Sequence, residues 1–580
     1  MFSLLARPTL RTLANSGRRL RLASCNMSSS AANAAPVEKR PSEETPLRSE
    51  EASRGSYRFK TKRMRNGHGD TSTILKTNGS NEEVLLEDVK ALLKGLTLEG
   101  DASAKLPELR SEVEVTIKAL SSTGDGLGFE EGSNSDQVYV VPFTAPGDTV
   151  TAKVFKHDQK DKYSMADFVK VSKPSPHRDQ SLVKCPYFAS CSGCQFQMLP
   201  YDYQLAHKKT IVERAYKNFS QLPPELIPAI GDTIGSPLQY GYRTKLTPHF
   251  DGPPDARRSD GRNGIRRSFK EVPPIGFMKK GTRHTVDIED CPIGTEAVRN
   301  GNKRERKRVA DELRKYHKGA TILLRENTQR ISKENYDPSK ELDSDAVIED
   351  RGSHLHRKTC VTDPNAKTTE YIDDFQFVNP AGSFFQNNNS ILPKFTQYIR
   401  DHILPQDPDH KVSHLIDAYS GSGLFTITLS SLFKSSLGID ISSSSIKSAT
   451  DNAEINNLPS SSAKFIAADA SALFASIQTD AAETVVMIDP PRKGCDESFL
   501  RQLIRYGPSR IVYVSCNVHT QARDVGVLVA GMKGVDGGFG AGEGCYDIES
   551  VCGFDFFPQT GHVEGVAVLK RREAKLQKEE

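Results

Sequence analysis

The spacing of apolar positions changes along the 580-residue chain, and each change predicts a different kind of element. Between residues 36 and 107 the chain is polar and charged and reads as linker, with one exception. Val84, Leu85, Leu86, Val89, Leu92, Leu93 and Leu96 recur at helical spacing and predict a single helix. From Glu112 the period shortens to that of strands. Val113–Ile117, the glycine-rich Gly124–Phe129, Val138–Pro142, Asp148–Val154 and Ala166–Val171 predict five short strands with glycine turns, a small OB-type barrel over residues 108–174.

Residues 376–572 alternate apolar strands with helical runs, the pattern of a doubly wound, Rossmann-like α/β domain. Strands are predicted at Val412–Ala418, up to Asp440, at Lys464–Ala468, Val485–Ile488, Ile511–Val514 and Val563–Leu569. Helical runs are predicted at Leu424–Phe433 and Ser443–Asn456. Residues 175–375 form a central domain interrupted near 252–272 and 328–368 by charged, surface-type insertions, and 573–580 is a charged tail.

Polar clusters punctuate the α/β domain where its chemistry belongs, at strand ends. Asp417-Ala418-Tyr419-Ser420-Gly421-Ser422-Gly423 makes a tight turn that lets backbone approach a ligand, and Asp440, one βα unit later, can accept from two ribose hydroxyls. A NAD site and an S-adenosylmethionine (SAM) site share these features. Asp489-Pro490-Pro491-Arg492 closes one strand, Ser515-Cys516-Asn517 the next, and Glu564 opens the last. Cys516 and Glu564 suggest a thiolate nucleophile and a carboxylate base.

Upstream, Cys185, Cys191 and Cys194 lie in a C-x5-C-x2-C cluster, with Cys291 before Pro292 as a fourth thiolate. In an intracellular chain this pattern favours metal ligation over disulfides, and four thiolates suit either Zn²⁺ or a [4Fe–4S] cluster. The net charge of +4 does not by itself imply a nucleic-acid partner. Local basic clusters matter more: Arg58–Arg65, Arg257–Arg267 and Lys303–Arg308. No apolar run is long enough to span a bilayer, and mean hydropathy is −0.51. Residues 1–35 carry five arginines among Ser, Ala and Leu, with no acidic side chain before Glu38. That is the composition of a mitochondrial transit segment, and Met27 offers a second start that would leave product in the nucleus or cytoplasm.

Taken together, the DPPR, SCN and HVE motifs resemble those of the RNA uracil-5-methyltransferase family, and the resemblance spans about residues 108–572. The barrel looks like a TRAM domain, an RNA-binding module. By this resemblance Gln386, in Phe384-Phe385-Gln386-Asn387-Asn388, and Tyr419, Asp440, Asp469 and Asp489 form the SAM site. Cys516 is the nucleophile and Glu564 the base, and the four cysteines hold a [4Fe–4S] cluster as in one branch of the family. Leu424 stands where the family often has Asn, and Asp440 where many members have Glu. Arg243 and Lys245, in a G-Y-R-T-K segment, are candidates for phosphate contact, and Arg492 and Asn517 for the carbonyl edges of the base.

The implied activity is SAM-dependent methylation of uridine C5 in RNA, most naturally the T-loop uridine of tRNA, with no membrane and no obligate protein partner. Ribosomal RNA is the second substrate class. Two rivals stand apart: an amino-group methyltransferase, whose D/N-P-P motif continues into an aromatic where this chain has Arg492, and a non-catalytic RNA-binding protein built on the same scaffold.

Overall fold

The structure, a computed structural model, describes residues 77–95, 105–253, 268–341, 343–468, 474, 477–532 and 544–572. The 1–35 segment, the first two basic clusters, Asp469 and the tail lie outside the described residues.

The barrel closes from five strands, β1 (Glu112–Leu120), β2 (Gly126–Glu130), β3 (Val138–Val141), β4 (Thr149–Asp158) and β5 (Tyr163–Lys173), in the order β1-β2-β3-β5-β4. Alternate residues Val113, Val115 and Ile117 of β1 face Val150, Ala152 and Val154 of β4 inside it. Gly128 has no substitute where β1 and β2 pair, because a Cβ there would lie 2.3 Å from the Thr116 carbonyl oxygen. The outer face of β3 is buried as well. Helix α1 (Asn81–Lys94) covers it, packing Leu85 and Val89 onto Leu127, Val138 and Val140. Side chains cap the start of this helix: Ser80 Oγ, at the N-cap, accepts from the Glu83 amide (3.3 Å), and Glu83 Oε2 accepts from the amide of Gly79, the residue before it (2.9 Å).

Helix α2 (Tyr201–Phe219) falls in the stretch that the sequence groups with the central domain, yet its apolar face joins the core of the α/β domain through Ile211, Val212, Ala215, Tyr216 and Phe219. Its Lys208 ammonium is fully buried against the Asp555 carboxylate at 2.5 Å. The rest of the central region holds helix α3 (Glu296–Asp311), two four-stranded sheets and the hairpin Lys367–Ile372/Phe375–Pro380. The stretch 328–368 carries regular structure: Leu355–Val361 pairs with Leu324–Ile331 and Val347–Asp350 pairs with Leu355–Val361, extending a sheet. On α3 the basic cluster is engaged internally, with Arg304, Arg306 and Arg308 paired to Asp345, Asp287 and Glu305.

The α/β domain carries a seven-stranded sheet of β6 (His414–Ala418), β7 (Ser435–Asp440), β8 (Ala463–Ala467), β9 (Thr484–Ile488), β10 (Arg510–Ser515), β11 (Tyr546–Phe554) and β12 (Glu564–Arg571). Their order is β8-β7-β6-β9-β10-β12-β11. The first five are parallel; β12 inserts antiparallel beside β10, and β11 pairs antiparallel with β12. The strand β11, with Asp547, Glu549 and Ser550 breaking its apolar run, escapes the sequence reading. Reversal of β12 brings its beginning, Glu564, to the edge where the parallel strands end, with Gly565 opposite Ser515.

Candidate active site

A cavity of about 610 Å³ opens along that edge and contains the ends of β6, β7, β9 and β10 and the start of β12. Tyr419, Asp440, Asp489, Cys516, Glu564 and Gln386 all line it, so residues far apart in sequence converge on one space.

The β6–α5 turn shapes one end, where α5 is Leu424–Thr428. Tyr419 (φ 65°), Gly421 (54°) and Gly423 (92°) all take left-handed backbone, and a Cβ at Gly421 would meet nothing within 4 Å, which leaves the turn open to a ligand. Both oxygens of Asp440 are held by backbone, Oδ2 by the Gly421 amide (3.0 Å) and Oδ1 by the Ser442 amide (2.8 Å). The Gln386 loop forms another wall. Lys245 Nζ donates to the carbonyls of Gly382 (3.1 Å) and Ser383 (3.0 Å), and Asn387 accepts from Arg325 (3.0 Å) and from the Thr244 amide (2.8 Å). Lys245 therefore anchors this loop, a role different from the phosphate contact expected of it.

At the reacting end, Cys516 is half-buried one residue before Asn517, the N-cap of helix α8 (Val518–Ala530). The Asn517 amide oxygen accepts from the His519 amide (3.2 Å), while its nitrogen donates to the carbonyls of Arg492 (3.0 Å) and Gly79 (3.3 Å). These bonds make Asn517 a clamp between loops, in place of the base contact expected from sequence. A residue that the sequence reading missed does comparable work inside the sheet. Gln521, fully buried on α8, donates to the carbonyls of Tyr513 (2.7 Å) and Gly565 (3.0 Å), tying the end of β10 to the start of β12 and so Cys516 to Glu564. Its sequence signal was weak, since Gln521 is one of several polar residues, with His519, Thr520, Arg523 and Asp524, in the first half of the helix.

Electrostatics separate the groups. Burial pushes the Cys516 thiol up to about 11, helped by Glu564 and Asp489 and opposed by Arg492. Burial and Asp489 raise the Glu564 carboxyl well above the carboxylate range, again against Arg492. Asp489 is raised to about 7 by burial and by Asp417. Asp417, also missed as a functional residue, is fully buried behind the turn and raised to about 7 by burial; its Oδ2 accepts from the Thr426 amide (2.9 Å) and hydroxyl (2.7 Å). The cavity thus holds a protonated thiol, buried carboxyls of raised basicity, and two guanidiniums, those of Arg243 and Arg492.

Cys185, Cys191, Cys194 and Cys291 line a second cavity of about 350 Å³, which shares Arg243 and Arg492 with the first. Burial raises Cys194 and Cys291 to about 12, and the neighbouring thiols push further in the same direction. Among the described residues no three His, Cys, Asp or Glu side chains converge tightly enough to chelate a single metal ion.

Comparison with known proteins agrees with this geometry. A family model described as tRNA (uracil-5-)-methyltransferase matches residues 315–572, and a TRAM domain model matches 108–169. The tRNA (uracil(54)-C(5))-methyltransferase of Schizosaccharomyces pombe is 44% identical over 497 residues, covering 85% of this chain and 84% of its own. The Saccharomyces cerevisiae protein of the same description is 39% identical over 541 residues, covering 87% and 80%. Among solved structures, the Pyrococcus abyssi tRNA (uracil-54, C5)-methyltransferase in complex with S-adenosyl-L-homocysteine superposes with a TM-score of 0.53 at 25% identity, covering 79% of this chain and 99% of its own. With this identity and coverage, on a sheet that gathers Cys516, Asp489 and Glu564 at one edge, the chain belongs to the tRNA (uracil-5-)-methyltransferase family.

Proposed function

We propose that this protein methylates C5 of a uridine in RNA, the T-loop uridine of tRNA, using S-adenosylmethionine. The observation that carries the reading is the meeting of Cys516 and Glu564 in the cavity that also contains the open Gly421 turn and the backbone-held Asp440. That turn and Asp440, with Tyr419 and Gln386, would hold SAM. When bound, SAM supplies an electrophilic methyl group.

Uracil C5 is a poor nucleophile, and the chain's own residues change that. Cys516 gives up its proton and its Sγ bonds to C6; the ring electrons move toward O4, and C5 becomes able to attack. Arg492, the cation beside both Cys516 and Glu564, opposes the negative charge that develops. After C5 has gained its methyl it carries a proton that must leave. Glu564, whose basicity is raised by burial, takes it, the C5–C6 double bond re-forms, and the Cys516 Sγ–C6 bond breaks. A stacked uridine hides C6, so the base enters flipped. The test is to map 5-methyluridine in RNA from cells with and without the protein. Loss at the tRNA T-loop is expected; loss confined to ribosomal RNA would reject the tRNA assignment, and no loss would reject the activity.

The cysteine cavity is read as a [4Fe–4S] site. What supports the reading is that Cys185, Cys191, Cys194 and Cys291, from two distant stretches of the chain, line one cavity, and four thiolates are the ligand set of such a cluster. Cys185, Cys191, Cys194 and Cys291 would hold it as a staple, since methyl transfer needs no redox step. Protein purified without air should contain iron and sulfide; stoichiometric zinc alone would reject the cluster. Residues 1–35 are read as a mitochondrial address, which the N-terminus of the protein recovered from mitochondria would test.

A further inference from the structure

Cys516 borders a second, outer cavity of about 250 Å³ with Asn517, Lys280, Arg492 and His562. Two walls of this cavity come from outside the α/β domain. Ser122 and Thr123 belong to the barrel, and Asn81 and Val84 to the segment that precedes it. That segment, Thr77–Lys94, meets the N-terminal half of helix α8 through Thr77 and Gly79 before reaching the barrel.

Its backbone completes the hydrogen bonding of the two loops that carry the chemistry. The Gly79 carbonyl accepts from Asn517 Nδ2 (3.3 Å), beside the nucleophile, and the Thr77 carbonyl from Arg523 Nη1 (3.1 Å). Arg523 also donates to the carbonyls of Lys493 (3.0 Å) and Cys495 (3.3 Å), and Asn517 and Thr520 donate to that of Arg492 (3.0 and 3.2 Å). The Asp489–Cys495 loop, the Cys516 turn and the strap are therefore one network. Gly79 sits so close to it, at φ 59°, that a Cβ would lie 2.7 Å from Thr520 Cγ2. At its other end the strap holds the barrel. Asp88, buried, accepts from the Ser122 amide (2.6 Å) and hydroxyl (3.2 Å) and pairs with Arg214 (3.3 Å). The next barrel residue, Thr123, accepts through its carbonyl from Gln195 Nε2 (2.8 Å), and Gln195 Oε1 accepts from the Gly561 amide (3.0 Å), three residues before Glu564.

We propose that the strap Thr77–Lys94 is a positioning element for methyl transfer, locking the Cys516 turn from outside through Gly79 and seating the barrel loop beside it through Asp88. This rests on the uridine-methylation reading above. Among the described residues the strap bonds the nucleophile's neighbours and none of Gln386, Tyr419 and Asp440, so it acts on C6 addition and on RNA fit more than on the methyl donor's site.

The experiment uses full-length wild type, Gly79→Ala and Asp88→Ala. It measures covalent adduct formation with 5-fluorouridine-substituted tRNA, steady-state kinetics, SAM affinity and melting temperature. Gly79→Ala, which pushes the strap off Thr520, should slow adduct formation at saturating tRNA by about tenfold or more, since small misplacements of reacting groups are costly. Asp88→Ala should raise KM for tRNA more than it lowers kcat. Both variants should bind SAM within about twofold of wild type, a pattern that general loosening of the fold would not produce. If Gly79→Ala fails to fold, Asp88→Ala decides alone. Wild-type adduct rates and KM in the folded variants would overturn the strap proposal by itself. Failure of wild type to form any adduct would overturn the uridine chemistry and the strap's role with it.

Discussion

Cys516 and the group of four cysteines line two cavities that share Arg492, and burial raises the thiols of both. Their neighbours differ. Cys516 faces two carboxylates and a guanidinium and precedes a helix N-terminus, so there are acceptors for its proton and positive charge for its thiolate. Cys194 and Cys291 face mainly other thiols, which repel one another once ionised. A cation among them would relieve that repulsion. The adjoining charges thus suit the same residue type to the nucleophile's role proposed in one cavity and to the ligand's role proposed in the other.

The comparison breaks most sharply at the nucleophile. Cys516→Ala should abolish methylation, by about a thousandfold or more, and any covalent RNA adduct, because no other thiol reaches C6. Residual 5-methyluridine at more than a trace, measured by nucleoside mass spectrometry, would defeat the assignment. Glu564→Gln should cost about a hundredfold or more in turnover but leave addition and methyl transfer possible. A methylated protein–RNA adduct that survives denaturing electrophoresis is the expected sign, and normal turnover would count against the base.

Cys194→Ser sharpens the contrast from the other side. Iron content should fall and the melting temperature drop by roughly several degrees, because metal binding is coupled to folding. Adduct formation per folded molecule should stay within about tenfold of wild type, unlike Cys516→Ala. Unchanged iron would remove Cys194 from the ligand set.

The smallest effect concerns pH. The carboxyl of Asp417 titrates near 7 in the folded protein, above its ordinary value. The folded state therefore holds the proton more tightly, and this contribution to stability is complete below about pH 4 and lost as pH rises toward 7. Asp489 acts in the same sense. Asp417→Asn should flatten the fall in melting temperature between pH 5 and 7.5 by roughly a few degrees. An unchanged pH profile would show that Asp417 is not a source of that dependence.

Much of the catalytic half was legible one residue at a time. Continuous apolar runs placed most strands of the large sheet within a few residues, and most of the polar residues picked out at their ends line one cavity. The barrel was legible for a different reason, since alternation survives wherever a strand has one face in a core. Helix α2 lies in a stretch that the sequence groups with the central domain, and its packing onto the α/β core has no local trace, because an amphipathic stripe says that a helix is buried without saying against what. Gln521 and Asp417 were invisible as functional positions because their importance lies in which backbone or side-chain groups they meet, Gln521 binding two strands at once.

By itself, then, the sequence determined the kinds of element, the strand-end placement of Asp489 and Cys516, the thiol and carboxylate that the chemistry needs, and the cysteine spacing. These depend on local periodicity and residue type. Only the tertiary structure decided that Glu564 reaches Cys516, because this requires β12 to run antiparallel beside β10 and so present its first residue where its neighbours present their last. It alone placed the strap over the nucleophile turn and engaged Asn517 and Lys245 in holding loops. Hydrogen bonds between residues hundreds of positions apart leave no periodic trace in a sequence; they exist once burial has fixed which surfaces meet, and an unpaired donor there would be costly.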